Sequence, residues 1–170
     1  MLENYFTSGY WRNYNMTEKE NKLLAPCGLY CGVCSIYKAY KDNDLELKKE
    51  ILTKLNNNEI KTIEDIACTG CLSDGIVFHF CQACPIKTCI KNKKIKGCYQ
   101  CKDFPCEIIS NWPDPLEKKV MLRAIPSWRE LGIENWVAEE EKRYKCPNYG
   151  TLLFHGTKKC KNCNFKVNFD

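Results

Sequence analysis

Cysteine is the residue that most constrains how this chain can fold. The chain has 14 cysteines in 170 residues, and eight of them lie between Cys68 and Cys106, a segment with few aliphatic side chains. Five pairs have the Cys-x2-Cys spacing, which places two sulfur atoms on one side of a tight loop. The pairs are Cys31/Cys34, Cys68/Cys71, Cys81/Cys84, Cys98/Cys101 and Cys160/Cys163. Because two such pairs complete a tetrahedral site, we predict that metal replaces an ordinary apolar core.

The beginning of the chain bears on whether these cysteines form disulfides. Residues 1–10 include Glu3 and lack a basic segment followed by an apolar one, so no secretory signal is predicted. No apolar stretch approaches the roughly 20 residues that a membrane-spanning helix needs. We therefore expect a cytoplasmic protein without a membrane partner. Cytosolic thiols are kept reduced, and dense cysteine pairs there usually bind metal.

The candidate ligands fall into sets of three. Two consecutive segments have identical cysteine spacing and so form an internal repeat. They are Cys81-x2-Cys84-x4-Cys89 and Cys98-x2-Cys101-x4-Cys106. A third set comes earlier and comprises Cys27, Cys31 and Cys34. If Cys68 and Cys71 complete two of these sets, 11 cysteines serve the 12 positions of about three zinc ions. The missing ligand is His79 or an open position, and His79 as an ordinary, partly buried histidine is an equal alternative.

Net charge is a poor guide to the partner of this chain. The formal charge of +5 counts thiols as neutral, whereas metal ligands are thiolates, and 11 thiolates with three divalent ions bring the balance close to zero. Several lysines of the cysteine-rich region are expected to offset thiolate charge locally: Lys87, Lys91, Lys93, Lys94 and Lys96. We expect an unidentified macromolecular partner, a protein rather than a nucleic acid.

The pattern of apolar residues predicts a mainly α fold with irregular cysteine-rich loops. Asn43 or Asp44 can cap a helix whose apolar face recurs at helical spacing and which ends at residues 56–58. That face comprises Leu47, Ile51, Leu52 and Leu55. Residues 107–144 carry a tryptophan-rich apolar set that we expect in the core, divided into short helices by Pro113, Pro115, Pro126 and Gly132.

Three segments follow from these patterns. We predict a flexible tail over residues 1–22, a cysteine-rich zinc-binding domain with helices over residues 23–144, and a separate small module over residues 145–170.

The small module resembles a zinc ribbon, in which two cysteine turns are joined by a β-hairpin. Its candidate ligands are Cys146, Cys160 and Cys163, and Tyr149 stands where a ribbon has its fourth cysteine. His155 lies further along the chain than Tyr149, roughly 20 Å away along an extended strand at about 3.3 Å per residue. We therefore expect an incomplete site, either empty or with three cysteines and a water.

An iron–sulfur or redox protein is the main alternative to zinc, because thiolates suit both metals. Cys27-x3-Cys31-x2-Cys34 has the spacing of radical S-adenosylmethionine enzymes, but the chain that follows Cys34 is too short for their barrel domain. The repeated spacing matches neither ferredoxin run, which favours zinc. A second alternative is nucleic-acid binding through basic and aromatic residues of the ribbon. These are Lys158, Lys159, Lys161, Lys166, Tyr149, Phe154 and Phe165.

From Ala25 to about Ile109 the sequence resembles the cysteine-rich prokaryotic family known as domain of unknown function 3795. The residues that carry the resemblance form four ordered motifs. They are Pro26-Cys27-Gly28-Leu29-Tyr30-Cys31-Gly32-Val33-Cys34, Cys68-Thr69-Gly70-Cys71-Leu72-Ser73-Asp74-Gly75, Cys81-x2-Cys84-Pro85-Ile86-Lys87-x-Cys89 and Cys101-x2-Phe104-Pro105-Cys106. The resemblance implies a small zinc-binding domain and no particular activity or substrate.

Catalytic residues are not evident. The chain contains only two histidines, and the sequence suggests no Ser/His/Asp set. Residues 139–141 are three glutamates, which are typical of a solvated acidic helix face. Closed four-thiolate sites leave no position for catalysis. We therefore favour an interaction module with structural zinc over an enzyme.

Overall fold

The computed structural model describes residues 23–169, so the tail predicted for residues 1–22 lies outside the described part of the chain. Within it, the fold is mainly helical and cysteine-rich, as the sequence predicts. The helices are α1 (Ser35–Lys41), α2 (Leu45–Leu55), α3 (His79–Gln82), α4 (Pro85–Lys93), α5 (Glu107–Ser110) and α6 (Pro115–Arg143). Short 3-10 turns cover Cys31–Val33, Ile63–Asp65 and Cys98–Gln100.

Helix α2 follows the sequence prediction closely. The Asp44 side chain accepts a hydrogen bond from the amide of Leu47 at 2.9 Å and so caps the helix. The helix ends at Asn56, which has a left-handed backbone with φ 40°. Ile51 is buried in a small apolar cluster with Ile60, Ile66 and Phe78, and the other apolar residues of the helix face pack against this cluster.

Helix α6 folds back on itself at Gly132. This glycine has φ 75° and ψ 169°, a combination that is essentially confined to glycine, and it separates two helical arms. Trp128 and Trp136 stack across the bend with ring centroids 4.7 Å apart and an interplanar angle of 6°. Pro126 does not divide the helix as predicted. Pro126 and Leu122, whose carbonyl loses its usual helical partner, are both exposed, so water can satisfy that carbonyl.

The main core lies between the arms of α6 and the loop that contains Cys27. Both α6 tryptophans are buried there, which confirms their predicted place in the core. Gly28 has φ 92°, and a β-carbon at this position would come within 3.0 Å of Ile125 Cδ1. Glycine at position 28 is therefore what allows the cysteine loop to lie directly on the helix.

Residues 145–169 form short turns instead of the predicted β-hairpin. No β-strand occurs among residues 23–169, and antiparallel pairing there is limited to isolated bridges. They are Leu24–Tyr30, Lys145–Leu152 and Lys159–Lys166. Each of the last two bridges closes one cysteine turn. The backbone of each turn therefore forms hydrogen bonds within that turn and not across a hairpin that joins the two turns.

A small cluster of buried residues lies within this C-terminal segment. It comprises Cys146, Leu153, Cys160 and Val167. Over residues 23–169, no helix has the length and apolar character needed to cross a membrane.

Candidate metal centres

Three of the predicted ligands meet in the C-terminal segment. The sulfur atoms of Cys146, Cys160 and Cys163 all lie within 4.8 Å of one another, and those of Cys146 and Cys163 are 3.5 Å apart. A tetrahedral ion with Zn–S bonds of about 2.3 Å requires sulfur atoms about 3.8 Å apart. We call these three residues the C-terminal triad. Its spacing fits a single metal ion.

The triad is built on two turns with the same backbone, which begin at Cys146 and Cys160. In each turn the amide four residues later donates to the cysteine carbonyl, from Gly150 at 2.7 Å and from Asn164 at 2.9 Å. Both of those residues are left-handed, with φ 65° and φ 56°. The cysteine amide in turn donates to the carbonyl five residues later, at 2.9 Å in both turns. The two turns therefore repeat the same hydrogen-bond pattern.

Neighbouring amides favour the charged form of Cys160, one member of the triad. Burial opposes ionisation of Cys160, but the amides of Asn162 and Cys163 donate to its sulfur, and the net result is a lowered pKa. The amide of Phe165 donates to the sulfur of Cys163, but burial and the neighbouring sulfurs of Cys146 and Cys160 outweigh it and raise the pKa of Cys163. Amide donors of this kind stabilise thiolates, which are the form that binds metal.

The two other candidate ligands of this segment lie elsewhere. Tyr149 is 64% exposed. His155 Nδ1 lies 2.8 Å from the hydroxyl of Tyr144, and the two rings meet edge to face. Among residues 23–169, no other His, Cys, Asp or Glu ligand atom joins the triad within the same 4.8 Å limit.

The other 11 cysteines are spaced more widely. In the described part of the chain, no other group of three ligand atoms lies within 4.8 Å. The effects of these cysteines on one another's pKa nevertheless indicate which of them are neighbours.

The first neighbourhood joins two loops and helix α3. It comprises Cys31, Cys34, Cys68, Cys71 and Cys81. Burial, followed by repulsion from Cys34, Cys71 and Cys68, raises the pKa of Cys31 well above its usual value, although the amide of Cys71 donates to its sulfur. Burial and the same three thiolates raise the pKa of Cys81 to about 12. Loops that are far apart in the sequence therefore meet here.

The second neighbourhood lies against α6. It comprises Cys84, Cys89, Cys98, Cys101 and Cys106. Burial, then repulsion from the other members, raises the pKa of Cys98 to about 12. The Arg129 side chain of α6 donates to the carbonyls of Tyr99 at 2.9 Å and Cys101 at 2.6 Å, which ties the loop to the helix. Sequence reasoning missed this arginine, because no local motif marks it.

Cys27 lies between the two neighbourhoods. Burial raises its pKa well above the usual value, and repulsion from Cys71, Cys84 and Cys98 adds to the effect. The amide of Leu29 donates to its sulfur and partly offsets this.

Some of the charge compensation expected from lysine is present. Lys87 lowers the pKa of Cys71, which burial raises to about 11. Lys93 Nζ lies 3.4 Å from the sulfur of Cys101 and also pairs with Asp103. These two cations lie where metal-bound thiolates would concentrate negative charge.

His79 is placed beside an acid rather than among cysteines. Its Nε2 lies 3.2 Å from Glu59 Oε2, and its side chain is about half exposed. The structure does not bring His79 into a group of three ligand atoms within 4.8 Å among the described residues.

Comparison with known proteins assigns the cysteine-rich region to a family. A family model described as a protein of unknown function (DUF3795) matches residues 23–111, which is more than half of the chain. The chain belongs to this family. A search of the curated proteins and a search of the solved structures each gave no match. The C-terminal triad lies outside the residues that match DUF3795.

Within the DUF3795 region, the repeated spacing does not give corresponding cysteines equivalent neighbours. Cys81 is affected by Cys34, Cys68 and Cys71. Cys84 instead acts on Cys27, Cys71 and Cys98. The chain turns between them because Cys84 is the N-cap of α4 and Pro85 begins that helix. Pro85 was the signal in the sequence that could have indicated this separation.

Proposed function

We propose that this protein is a zinc protein in which thiolate sites stabilise the fold, and that its surface binds another protein. The observation that carries the proposal is the convergence of cysteines from separate loops in a region with few aliphatic side chains. Buried thiolates repel one another, and a divalent cation relieves both the repulsion and the cost of burial. A reducing compartment such as the cytoplasm would keep these thiols available to metal.

The effects of the 11 cysteines on one another's pKa support their division into three ion sites. Each site groups cysteines whose thiolate forms would repel one another without a metal. The sites are Cys31/Cys34/Cys68/Cys81, Cys89/Cys98/Cys101/Cys106 and Cys27/Cys71/Cys84. The first two are closed four-thiolate sites, as structural zinc prefers. The third has three thiolates, which matches the count of 11 ligands for 12 positions.

Metal content per chain tests the proposal. We expect about three zinc ions in the DUF3795 region and no visible colour, measured by elemental mass spectrometry and absorption on protein purified without added metal. A chelator should unfold the cysteine-rich loops, and circular dichroism would measure this unfolding. The same chelator presaturated with zinc should leave the loops folded. Metal-free protein with unchanged resistance to urea would contradict a stabilising role.

An iron–sulfur protein is a second candidate, and one observation favours it. The 11 cysteines are spaced more widely than the C-terminal triad, which alone among residues 23–169 meets the 4.8 Å limit. A cluster of several irons takes its thiolates further apart than a single ion does. Iron in the metal analysis, together with absorption in the visible range, would favour the iron–sulfur protein over the zinc protein.

A protein partner is supported by apolar side chains on the surface. Leu72, Ile76 and Phe80 are all large, exposed and close in sequence. Exposed apolar side chains that form one patch are typical of interaction sites, and we propose that these three form such a patch. The competing nucleic-acid hypothesis rests on lysines of the C-terminal segment, one of which, Lys161, pairs with Glu50 at 2.6 Å. Binding to single-stranded DNA that weakens steeply with salt would support the nucleic-acid hypothesis instead.

A further inference from the structure

We infer that the C-terminal triad holds a metal ion with one open coordination position beside Tyr149, and that this position takes an external thiolate. The inference rests on the proposed function only in that both require thiolate-bound metal. It concerns different cysteines from the three sites proposed for residues 27–106, so the two can fail separately.

The position of the fourth ligand follows from the matching turns. Counting from the first cysteine of each turn, Tyr149 occupies the place in the first turn that Cys163 occupies in the second. The two turns share the same hydrogen-bond pattern, and each has a residue with left-handed backbone at the next position, Gly150 in the first turn and Asn164 in the second. A site completed by both turns would therefore have its fourth ligand at residue 149.

This chain supplies no thiolate there. The Tyr149 side chain is largely exposed, and His155 is engaged with Tyr144. Within the described residues, the ligand group ends at three members. A tetrahedral ion bound by three protein ligands keeps its fourth position for water or an added ligand.

The open side of the triad faces solvent. Cys146 and Cys160 are buried, whereas Cys163 is partly exposed and Tyr149 is mostly exposed. An external molecule can therefore reach the ion from the side of residues 149 and 163 without displacing the core.

Charge favours an anionic ligand at this position. Residues 145–169 contain five lysines and no Asp or Glu. They are Lys145, Lys158, Lys159, Lys161 and Lys166. Three thiolates on a divalent ion carry a net charge of −1, which these cations more than offset. A soft thiolate is also the donor class that suits an ion already bound by sulfur. When a thiol binds, its sulfur replaces the water on the metal and its proton is released to solvent.

Cobalt(II) and glutathione test the inference on the full chain. Cobalt(II) replaces zinc and gives a sulfur-to-metal absorption that grows with the number of thiolates. We expect the wild type to bind one more cobalt(II) than Cys160→Ser. The difference spectrum should be that of three thiolates. Glutathione should raise it to four, with one more equivalent bound by the wild type than by Cys160→Ser.

Two cysteine variants make the test specific. Tyr149→Cys should give the four-thiolate spectrum without glutathione and lose the response to it. The matched control Asn148→Cys adds a thiol at the neighbouring position and should still respond to glutathione. Tyr149→Phe should behave as the wild type does, and a change in its spectrum would show that the phenolate is the fourth ligand and overturn the inference.

The remaining outcomes separate the two proposals. A wild-type spectrum that ignores glutathione, or that already equals that of Tyr149→Cys, overturns the open position. Equal cobalt content in the wild type and Cys160→Ser does so as well. In that case the number of cobalt(II) ions bound by Cys160→Ser still tests the sites of residues 27–106. Finding no bound cobalt(II) in this variant would count against the proposed function itself.

Discussion

Replacing Glu140 tests how the two arms of α6 are held together. Glu140 is only 2% exposed, although it is charged. It pairs with Arg123 of the other arm through both carboxylate oxygens, and Arg143 Nε lies 3.6 Å away. Removing one partner of a buried ion pair costs about 3–5 kcal/mol, because the other charge stays buried. The Arg123 side chain is 23% exposed, so solvent screens part of this cost and we expect about 3 kcal/mol for Glu140→Gln.

Urea unfolding of the metal-loaded protein measures this loss. The matched control is Glu139→Gln, at the preceding position of the same helix, whose ion pair with Lys142 is 4.0 Å long and exposed. That variant should lose less than about 0.5 kcal/mol. The double variant Arg123→Met/Glu140→Leu should recover most of the stability, because no buried charge is left unpaired and the Arg143 side chain is 42% exposed. Equal losses in Glu140→Gln and Glu139→Gln would refute the reasoning.

Three further predictions concern the backbone and local caps. Gly132→Ala should cost about 1–3 kcal/mol in urea unfolding through backbone strain alone, because a β-carbon there meets nothing within 4 Å. Asp44→Ala should cost about 1 kcal/mol by loss of the cap on α2, measured in the same way. Hydrogen bonds from backbone amides, that of Thr62 foremost, lower the pKa of Asp65. Its contribution is therefore complete above the ordinary pKa of about 3.9 and lost as the pH falls through the folded value, and Asp65→Asn should remove this dependence from unfolding measured against pH.

Local signals in the sequence determined the elements that were predicted correctly. Asp44, the apolar face of α2 and the asparagines after it lie within one short segment, so cap, face and end are all readable together. The burial of Trp128 and Trp136 was predictable from their apolar surroundings. Their stacking was not, because it depends on the reversal at Gly132. A glycine indicates that a helix can break and does not specify the direction in which the chain continues.

The cysteines separate in the same way into local and distant arrangements. The C-terminal triad comes from two neighbouring turns of one short segment, each shaped by its own hydrogen bonds, so the spacing of its cysteines was enough to predict it. The cysteines of the DUF3795 region meet across much longer stretches of chain. Their spacing in the sequence therefore indicates which thiols share a turn and leaves open which turns share a site.

Arg129 illustrates what supplies the missing information. Its guanidinium lies on α6, outside the matched family region, and yet it holds the carbonyls of the loop from Cys98 to Cys101. Arginine can donate several hydrogen bonds in a fixed geometry, so one side chain fixes the orientation of a whole turn. The second thiol neighbourhood thus depends on a helix that contributes no cysteine. For this reason a ligand set in the DUF3795 region has to be assigned from tertiary contacts, whereas the open position at Tyr149 can be assigned by comparing two adjacent turns.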